Sequence, residues 1–309
     1  MADRDDDRLV WVPFDPADLG EVPDGLRVEQ VDLQGEDVPD DVDQVRFLVM
    51  DYRFGGRERH LFDRMTRLEV IQTQTAGVEH VSAAVPEGVT LCNGRGIHDT
   101  STAELALTLT LASLRGIPDY VRAQDRAEWA FDHRASLADK RVLIVGYGQI
   151  GEAIERRVLP FEATVTRVAR SARDGVHAID ELPGLLPDAD VVVLIVPGTQ
   201  QTTGLFDAEM LARMKDGALL VNVSRGPVVD TDALLTELRS GRLRAALDVV
   251  DPEPLPADHP LWEAPGLLVS PHVGGASDAM KPRAMRLVRE QLERYAAGEQ
   301  LANVMTGDY

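Results

Sequence analysis

Residues 141–151, RVLIVGYGQIG, restrict what this chain can fold into more than any other stretch. Val142, Leu143, Ile144 and Val145 form a run of β-branched and apolar residues that reads as a buried strand. The run meets Gly146, Gly148 and Gly151, and the EAIERRVLPF that follows has helical periodicity. Strand, glycine turn and helix in that order are the context in which G-x-G-x-x-G signals dinucleotide binding. Gly146 permits a tight turn, Gly148 lets the backbone approach a pyrophosphate, and Gly151 lets helix and strand pack closely. The helix start adds free N–H groups and the positive end of a dipole for the phosphates.

From there the pattern alternates regularly. Strands are expected at 141–146, 163–169, 190–197, 218–224, 245–250 and 267–273, with helices at 149–161, 207–214 and 230–240. Alternation of this kind predicts an α/β fold with a doubly wound parallel sheet. Before it, 44–52, 68–77 and 89–96 read as strands of a smaller α/β domain. Asp99, Thr100, Ser101 and Thr102 offer cap chemistry to a helix over 103–117, apolar nearly all round and therefore buried. Trp129 is expected to pack at the junction of the domains. The last helix, 278–297, lies beyond the sheet, so the simplest arrangement sends it back to the first domain. The expected division is 1–101, 102–277 and 278–309, the outer two segments forming one discontinuous domain. A chain of 309 residues gives each domain a core of its own.

Charge narrows the partners. With 32 basic and 52 acidic residues the formal charge is −20, which repels nucleic acid phosphates and anionic lipid. An anionic ligand then needs positive charge concentrated at its site. Lysine occurs only at Lys140, Lys215 and Lys281, a scarcity read as codon bias of a GC-rich genome rather than adaptation to salt. Cys92 is the sole cysteine, which excludes an internal disulfide and points to a reducing compartment. The acidic start lacks the apolar core of a signal peptide, and no run reaches the ~18–20 apolar residues that span a bilayer, so a cytoplasmic location is expected. No Cys/His spacing indicates a metal site.

Three further strand ends carry chemistry: VNVSRGPVVD (221–230), LDVVDPEPLP (247–256) and LLVSPHVGGAS (267–277). Ligands of doubly wound sheets bind outside the carboxyl ends of the strands, where Arg225, Glu253 and His272 would project. A guanidinium grips a carboxylate bidentately. An imidazole exchanges a proton with a hydroxyl or carbonyl, and a carboxylate beside it fixes its tautomer and raises its pKa. Singly, each has a bland explanation: a surface arginine, a member of an acidic turn, a core histidine. Together, at successive strand ends after a dinucleotide turn, they read as catalytic.

In these segments the chain resembles the D-2-hydroxyacid dehydrogenase family. SLADKRVLIVGYGQIG, LIVPGTQQTTGLF, LLVNVSRGPVVDTDALLTEL, LDVVDPEPLP and SPHVGGAS are each similar to a family block, in family order; TAGVEHV (75–81) and TAELALTLTL (102–111) resemble two more. The resemblance implies a Rossmann cofactor domain, a split substrate domain, and Arg225, Glu253 and His272 as the catalytic set. It assigns cofactor contacts to Thr102 and to Gly146, Gly148, Gln149, Ile150 and Gly151 of the glycine turn. It adds Val196, Pro197 and Thr202, then Val223 and Ser224, then Asp248 and Gly274. Ala76 and Gly77 would hold a substrate carboxylate. Arg53, in the DYRFGG loop, is a substrate candidate that reads equally as solvated surface. Arg95 is another, although it and His98 also suit a hinge or capping role.

Many relatives end the second Rossmann strand with an aspartate for the ribose hydroxyls of NAD. Here that place holds Ala169, followed by Arg170, Ser171 and Arg173, and Glu162 stands where relatives have a turn glycine. The expectation is an oxidoreductase that prefers NADP, with NAD possible, and acts on a small anionic 2-keto or 2-hydroxy acid, glyoxylate and hydroxypyruvate foremost. The resemblance also implies a homodimer formed through the cofactor domain. The rival reading is a cofactor-sensing, corepressor-like binding protein on the same fold. Formate dehydrogenase is weaker, since that branch carries glutamine where this chain has Glu253.

Overall fold

The computed structural model describes residues 7–32, 38–52 and 57–306. The chain divides into two units, Met1–His98 with Asp278–Tyr309, and Asp99–Ser277. The boundary lies three residues before the expected one, because helix α1 (Asp99–Arg115) already begins at Asp99. Asp99, Thr100 and Ser101 therefore form its first turn instead of standing outside it. Among the described residues no helix is long and apolar enough to cross a membrane.

The first unit carries five parallel strands: β1 (Arg8–Val12), β2 (Leu26–Gln30), β3 (Val45–Val49), β4 (Val70–Gln72) and β5 (Thr90–Cys92), in the order β2-β1-β3-β4-β5. Period-two alternation feeds two apolar layers. Leu9 and Trp11 of β1 enter one layer; Val10 and Val12 enter the other. β2 escaped the sequence pattern because LRVEQ is an edge strand with a single buried residue, Leu26.

The second unit continues α1 after a break at Gly116, whose φ of 64° starts α2 (Ile117–Asp125). The helix expected over 103–117 is therefore α1, which starts four residues earlier and ends two residues sooner, and α2 was not expected. Then come β6 (Arg141–Val145), α3 (Gln149–Val158), β7 (Thr164–Ala169), β8 (His177–Ala178), α4 (Leu182–Leu185), β9 (Val191–Leu194), α5 (Ala208–Arg213), β10 (Leu219–Asn222), α6 (Thr231–Arg239), β11 (Arg244–Leu247) and β12 (Leu267–Val269). The seven strands are parallel in the order β12-β11-β10-β9-β6-β7-β8. Both faces are apolar, as a parallel sheet requires. Leu143, Val145, Val192, Leu194 and Leu220 face a layer with Leu211, Leu234 and Leu238. Val142, Ile144, Val191, Val193 and Val221 face α1 and α3 through Ala106, Leu109 and Ile154.

Strand order reverses at β6, between β9 and β7, so the glycine turn leaves the sheet at its switch point. Every strand of this sheet after β8 stops two to four residues before its expected end. The residues beyond turn away as loops, and those loops hold the candidate site. Glu162 sits at φ 62°, in the left-handed region that glycine adopts freely, which accounts for the glycine of relatives at this turn. Trp129 does not pack at a junction. It is 97% exposed, and Phe131 beside it is 80% exposed.

The last helix, α7 (Met280–Ala297), belongs to the first unit. Its Ala284, Met285, Val288, Leu292 and Tyr295 pack with Val10, Phe47, Val49 and Val70. Gln291 is fully buried on this face; its Nε2 donates to Gln72 Oε1 (2.7 Å) and to the Ala302 carbonyl (2.9 Å), and its Oε1 accepts from Ala302 N (2.8 Å). Cys92 ends β5 in the same core, and burial pushes its thiol up to about 11.

Candidate active site

Three loops leaving the carboxyl ends of β10, β11 and β12 bring Arg225, Glu253 and His272 into one region. The first loop is held by Asn222, whose Oδ1 accepts from the amide and hydroxyl of Ser224 (3.0 and 2.6 Å) and whose Nδ2 donates to the Arg225 carbonyl (3.0 Å). Arg225 Nη1 donates to the Ser224 carbonyl (2.7 Å). Gly226 follows because the next loop passes directly over it. A Cβ there would lie 1.9 Å from the Val250 carbonyl oxygen, which no side chain tolerates.

The third loop is gathered around Asp248, a carboxylate with 3% exposure at the end of β11. Its Oδ1 accepts from Ser270 Oγ (2.6 Å) and Val273 N (2.9 Å), its Oδ2 from Gly274 N (2.8 Å), and its carbonyl from His272 N (2.7 Å). Those bonds hold His272 at φ 53°, a conformation costing roughly 1–2 kcal/mol for a residue with a Cβ. His272 Nδ1 lies 2.5 Å from Glu253 Oε1. An ionised carboxylate only accepts, so Nδ1 carries the proton and Nε2 is left for a ligand. The Glu253 hydrogen bond raises the imidazole pKa above its ordinary value, burial opposes it, and the guanidinium of Arg225 lowers it through space.

The glycine turn follows β6. Gly146 has φ 106°, and a Cβ there would stand 2.4 Å from the Ile195 carbonyl oxygen and 2.7 Å from Val196 N, so the turn and the end of β9 touch through backbone. Gly148 is different: a Cβ there would meet nothing within 4 Å. α3 begins at Gln149 with no side chain capping it, followed by Ile150 and by the buried Gly151. Open space above a glycine and uncapped N–H groups suit the pyrophosphate of a dinucleotide.

The other expected cofactor residues lie in this same unit, Thr102 in α1 and the rest on loops. Thr102 meets Asp248 at Gly274, where a Cβ would be 3.0 Å from Asp248 Oδ2 and 3.5 Å from the Thr102 side chain. Thr202 Oγ1 donates to the Pro197 carbonyl (2.6 Å), and Val223 N donates to Leu194 O (3.2 Å). Arg170, Ser171 and Arg173 follow Ala169, the last residue of β7, and all three are exposed. Among the described residues, no carboxylate pairs with Arg170 or Arg173.

The expected substrate residues belong to the first unit. Ala76 and Gly77 lie in the loop after β4, where Asn93 Nδ2 donates to the Ala76 carbonyl (2.9 Å) and Thr75 Oγ1 to that of Gly77 (2.7 Å). Arg95 is exposed, its amide donating to Asn93 Oδ1 (3.2 Å). His98 is buried, with Nε2 2.8 Å from the Gln74 carbonyl. Arg53 lies outside the described residues. Sequence reasoning passed over Asn93 and Asn222, and saw Asp248 only as a cofactor contact. The available signal was a polar residue at the end of an apolar strand run, where an amide or carboxylate has backbone to satisfy. Among the described residues no cluster of His, Cys, Asp or Glu could hold a metal ion.

A glycine turn at the switch point of a parallel sheet, beside a histidine–carboxylate pair and an arginine on neighbouring strand ends, defines the class of dinucleotide-dependent oxidoreductases. Residues 107–274 match the family model described as D-isomer specific 2-hydroxyacid dehydrogenase, NAD binding domain. A glyoxylate reductase of Thermofilum pendens is 31% identical over 257 residues, 78% of this chain and 76% of that protein. A glyoxylate/hydroxypyruvate reductase B of Escherichia fergusonii is 33% identical over 231 residues, 70% of this chain and 71% of that one. The D-isomer specific 2-hydroxyacid dehydrogenase of Xanthobacter autotrophicus Py2, solved in complex with NADPH and MES, superposes with a TM-score of 0.82 at 31% identity, covering 97% of this chain and 98% of that chain. The chain belongs to the D-isomer specific 2-hydroxyacid dehydrogenase family and is an NAD(P)-dependent oxidoreductase.

Proposed function

We propose that this enzyme reduces small 2-keto acids with a preference for NADP(H), and that Arg225, Glu253 and His272 carry the reaction. The observation that carries this reading is the 2.5 Å contact of His272 with Glu253, on strand ends adjoining that of Arg225. A bound nicotinamide cofactor supplies the hydride. Arg225 grips the substrate carboxylate and polarises the keto oxygen, so it acts before and during the chemical step. His272, protonated, gives its Nε2 proton to the oxygen as negative charge develops there. Glu253 fixes the ring through Nδ1 and stabilises the imidazolium.

The first unit is assigned the substrate-binding role through Ala76 and Gly77, with Arg53 and Arg95 as further candidates. Asn93 and Thr75 orient that loop through its carbonyls. NADP preference is supported by the end of β7, where Ala169 replaces an acidic residue and Arg170, Ser171 and Arg173 follow. Glyoxylate and hydroxypyruvate are the proposed substrates, the ones named for the relatives in Thermofilum pendens and Escherichia fergusonii. A cytoplasmic homodimer is proposed, with exposed apolar side chains at Ile117, Val121, Trp129 and Phe131 available for association.

The test is a panel of 2-keto acids, from glyoxylate to branched-chain acids, each assayed with NADPH and with NADH. Turnover of glyoxylate or hydroxypyruvate, faster with NADPH, is the expected result. Cofactor binding with no turnover of any keto acid would point to a cofactor sensor and overturn the reductase reading.

A further inference from the structure

Tyr147 is one of the unspecified positions of the glycine fingerprint, and nothing in that motif requires an aromatic residue there. The structure gives it a definite place. Two guanidinium groups lie over its ring, with Arg167 Cζ 5.6 Å and Arg173 Cζ 5.7 Å from the ring centre. Its hydroxyl donates to Glu155 of α3, and Arg167 of β7 donates to both oxygens of that carboxylate (2.9 and 3.0 Å). Glu155 is buried, so this pair is charge-balanced and shielded.

Arg173 is the surplus charge. Its Nη2 donates to the Tyr147 carbonyl, which uses one of its five N–H donors. Its backbone is pinned by two bonds to Val176 (3.1 and 2.8 Å). The amides of Gly146 and Tyr147 both donate to the Val168 carbonyl (2.8 and 2.9 Å), so glycine turn and strand end form one piece. An exposed arginine ordinarily loses rotamer freedom when it takes an anion. A ring face and a carbonyl that already seat it reduce that loss.

We propose that Tyr147 is a positioning residue for cofactor selection: its ring and carbonyl seat Arg173 beside the glycine turn, where the guanidinium takes a 2′-phosphate. The inference rests on the NADP preference proposed above and names a residue that reading does not include. A ribose bearing a 2′-hydroxyl gains little from a seated guanidinium, whereas a phosphate forms charge-assisted, bidentate bonds with it.

Calorimetric titration of the whole protein with adenosine 2′,5′-bisphosphate and with AMP tests this without catalysis. The wild type is expected to favour the bisphosphate. Tyr147→Leu should weaken the bisphosphate roughly three- to tenfold, tenfold being about 1.4 kcal/mol, and leave AMP unchanged. Tyr147→Phe keeps the ring face and should behave as wild type. Arg173→Gln should lose the same preference, and combining it with Tyr147→Leu should add nothing. Equal weakening of both ligands by Tyr147→Leu would mean the ring only supports the turn, and would overturn the proposal. So would a full preference in Arg173→Gln, which also decides the matter if Tyr147→Leu does not fold. A wild type with no preference would sink the NADP reading and this proposal with it. A wild-type preference that survives Tyr147→Leu would sink this proposal alone.

Discussion

His272 Nδ1 and Glu253 Oε1 lie 2.5 Å apart across nineteen residues of sequence, and this bond is the leading cause of the raised imidazole pKa. On the proposed mechanism, reduction uses the protonated ring. A raised pKa therefore extends the active range upward in pH, and the alkaline limb falls above the usual imidazole value. Glu253→Gln removes the charge and should move that limb to lower pH. Profiles of kcat/KM for wild type and variant read the shift directly; coincident limbs would separate Glu253 from the acid.

His272→Ala removes the proton donor, and a drop in kcat of about 10²–10⁴ is expected for keto-acid reduction. Binding of the cofactor, measured by fluorescence titration, should change little, because the proposed phosphate site is the glycine turn and not the imidazole. Turnover close to wild type would deny His272 its role.

Arg225→Lys keeps the charge but loses the planar fork and its bidentate geometry. KM should rise and kcat should fall, because the proposed role has the guanidinium act in both the bound and the transition state. Steady-state kinetics with glyoxylate check both parameters, and no change in either would make the arginine structural.

The glycine turn, six strands of the parallel sheet and the three strand-end residues were legible because each is written in a short stretch: apolar alternation, then a residue that breaks it; the two-residue strand β8 was not expected. What was not legible came from long range. Asp248 binds Ser270, Val273 and Gly274 because folding lays the β12 loop against the end of β11, and the LDVVDPEPLP segment says nothing of those amides. Gln291 pairs with Gln72 across 219 residues, and in sequence each is an ordinary polar residue. Trp129 misled for a related reason: its bulk argues for burial, yet among the described residues no element covers it.

Gln291→Leu tests the buried amide pair. The substitution fits the space but leaves Gln72 Oε1 and both backbone groups of Ala302 without their partner. A loss of roughly 2–4 kcal/mol is expected in urea unfolding followed at the first unit. A change within experimental error would show that other groups satisfy these atoms.

Ala169→Asp combined with Arg170→Ala places a carboxylate at the end of β7 and removes a guanidinium. The double variant should prefer NADH, because aspartate accepts from a ribose hydroxyl and repels a 2′-phosphate. The ratio of kcat/KM values for the two cofactors should invert from about tenfold or more in favour of NADPH. An unmodified enzyme equally efficient with NADH would refute the assignment of the preference.

α7 closes the apolar layer formed by Val10, Phe47, Val49 and Val70, yet it is made long after them. About 180 residues separate His98 from this helix, ~10–40 s of translation at typical rates. Until Met280–Ala297 is made the N-terminal sheet has one face without this cover, whereas the two apolar layers of Asp99–Ser277 are drawn entirely from its own residues. The first unit therefore cannot complete its core until the end of the chain is made, whereas the core of the second needs no residue beyond Ser277. A chain cut short before Met280 would leave this apolar face of the N-terminal sheet uncovered and open to association.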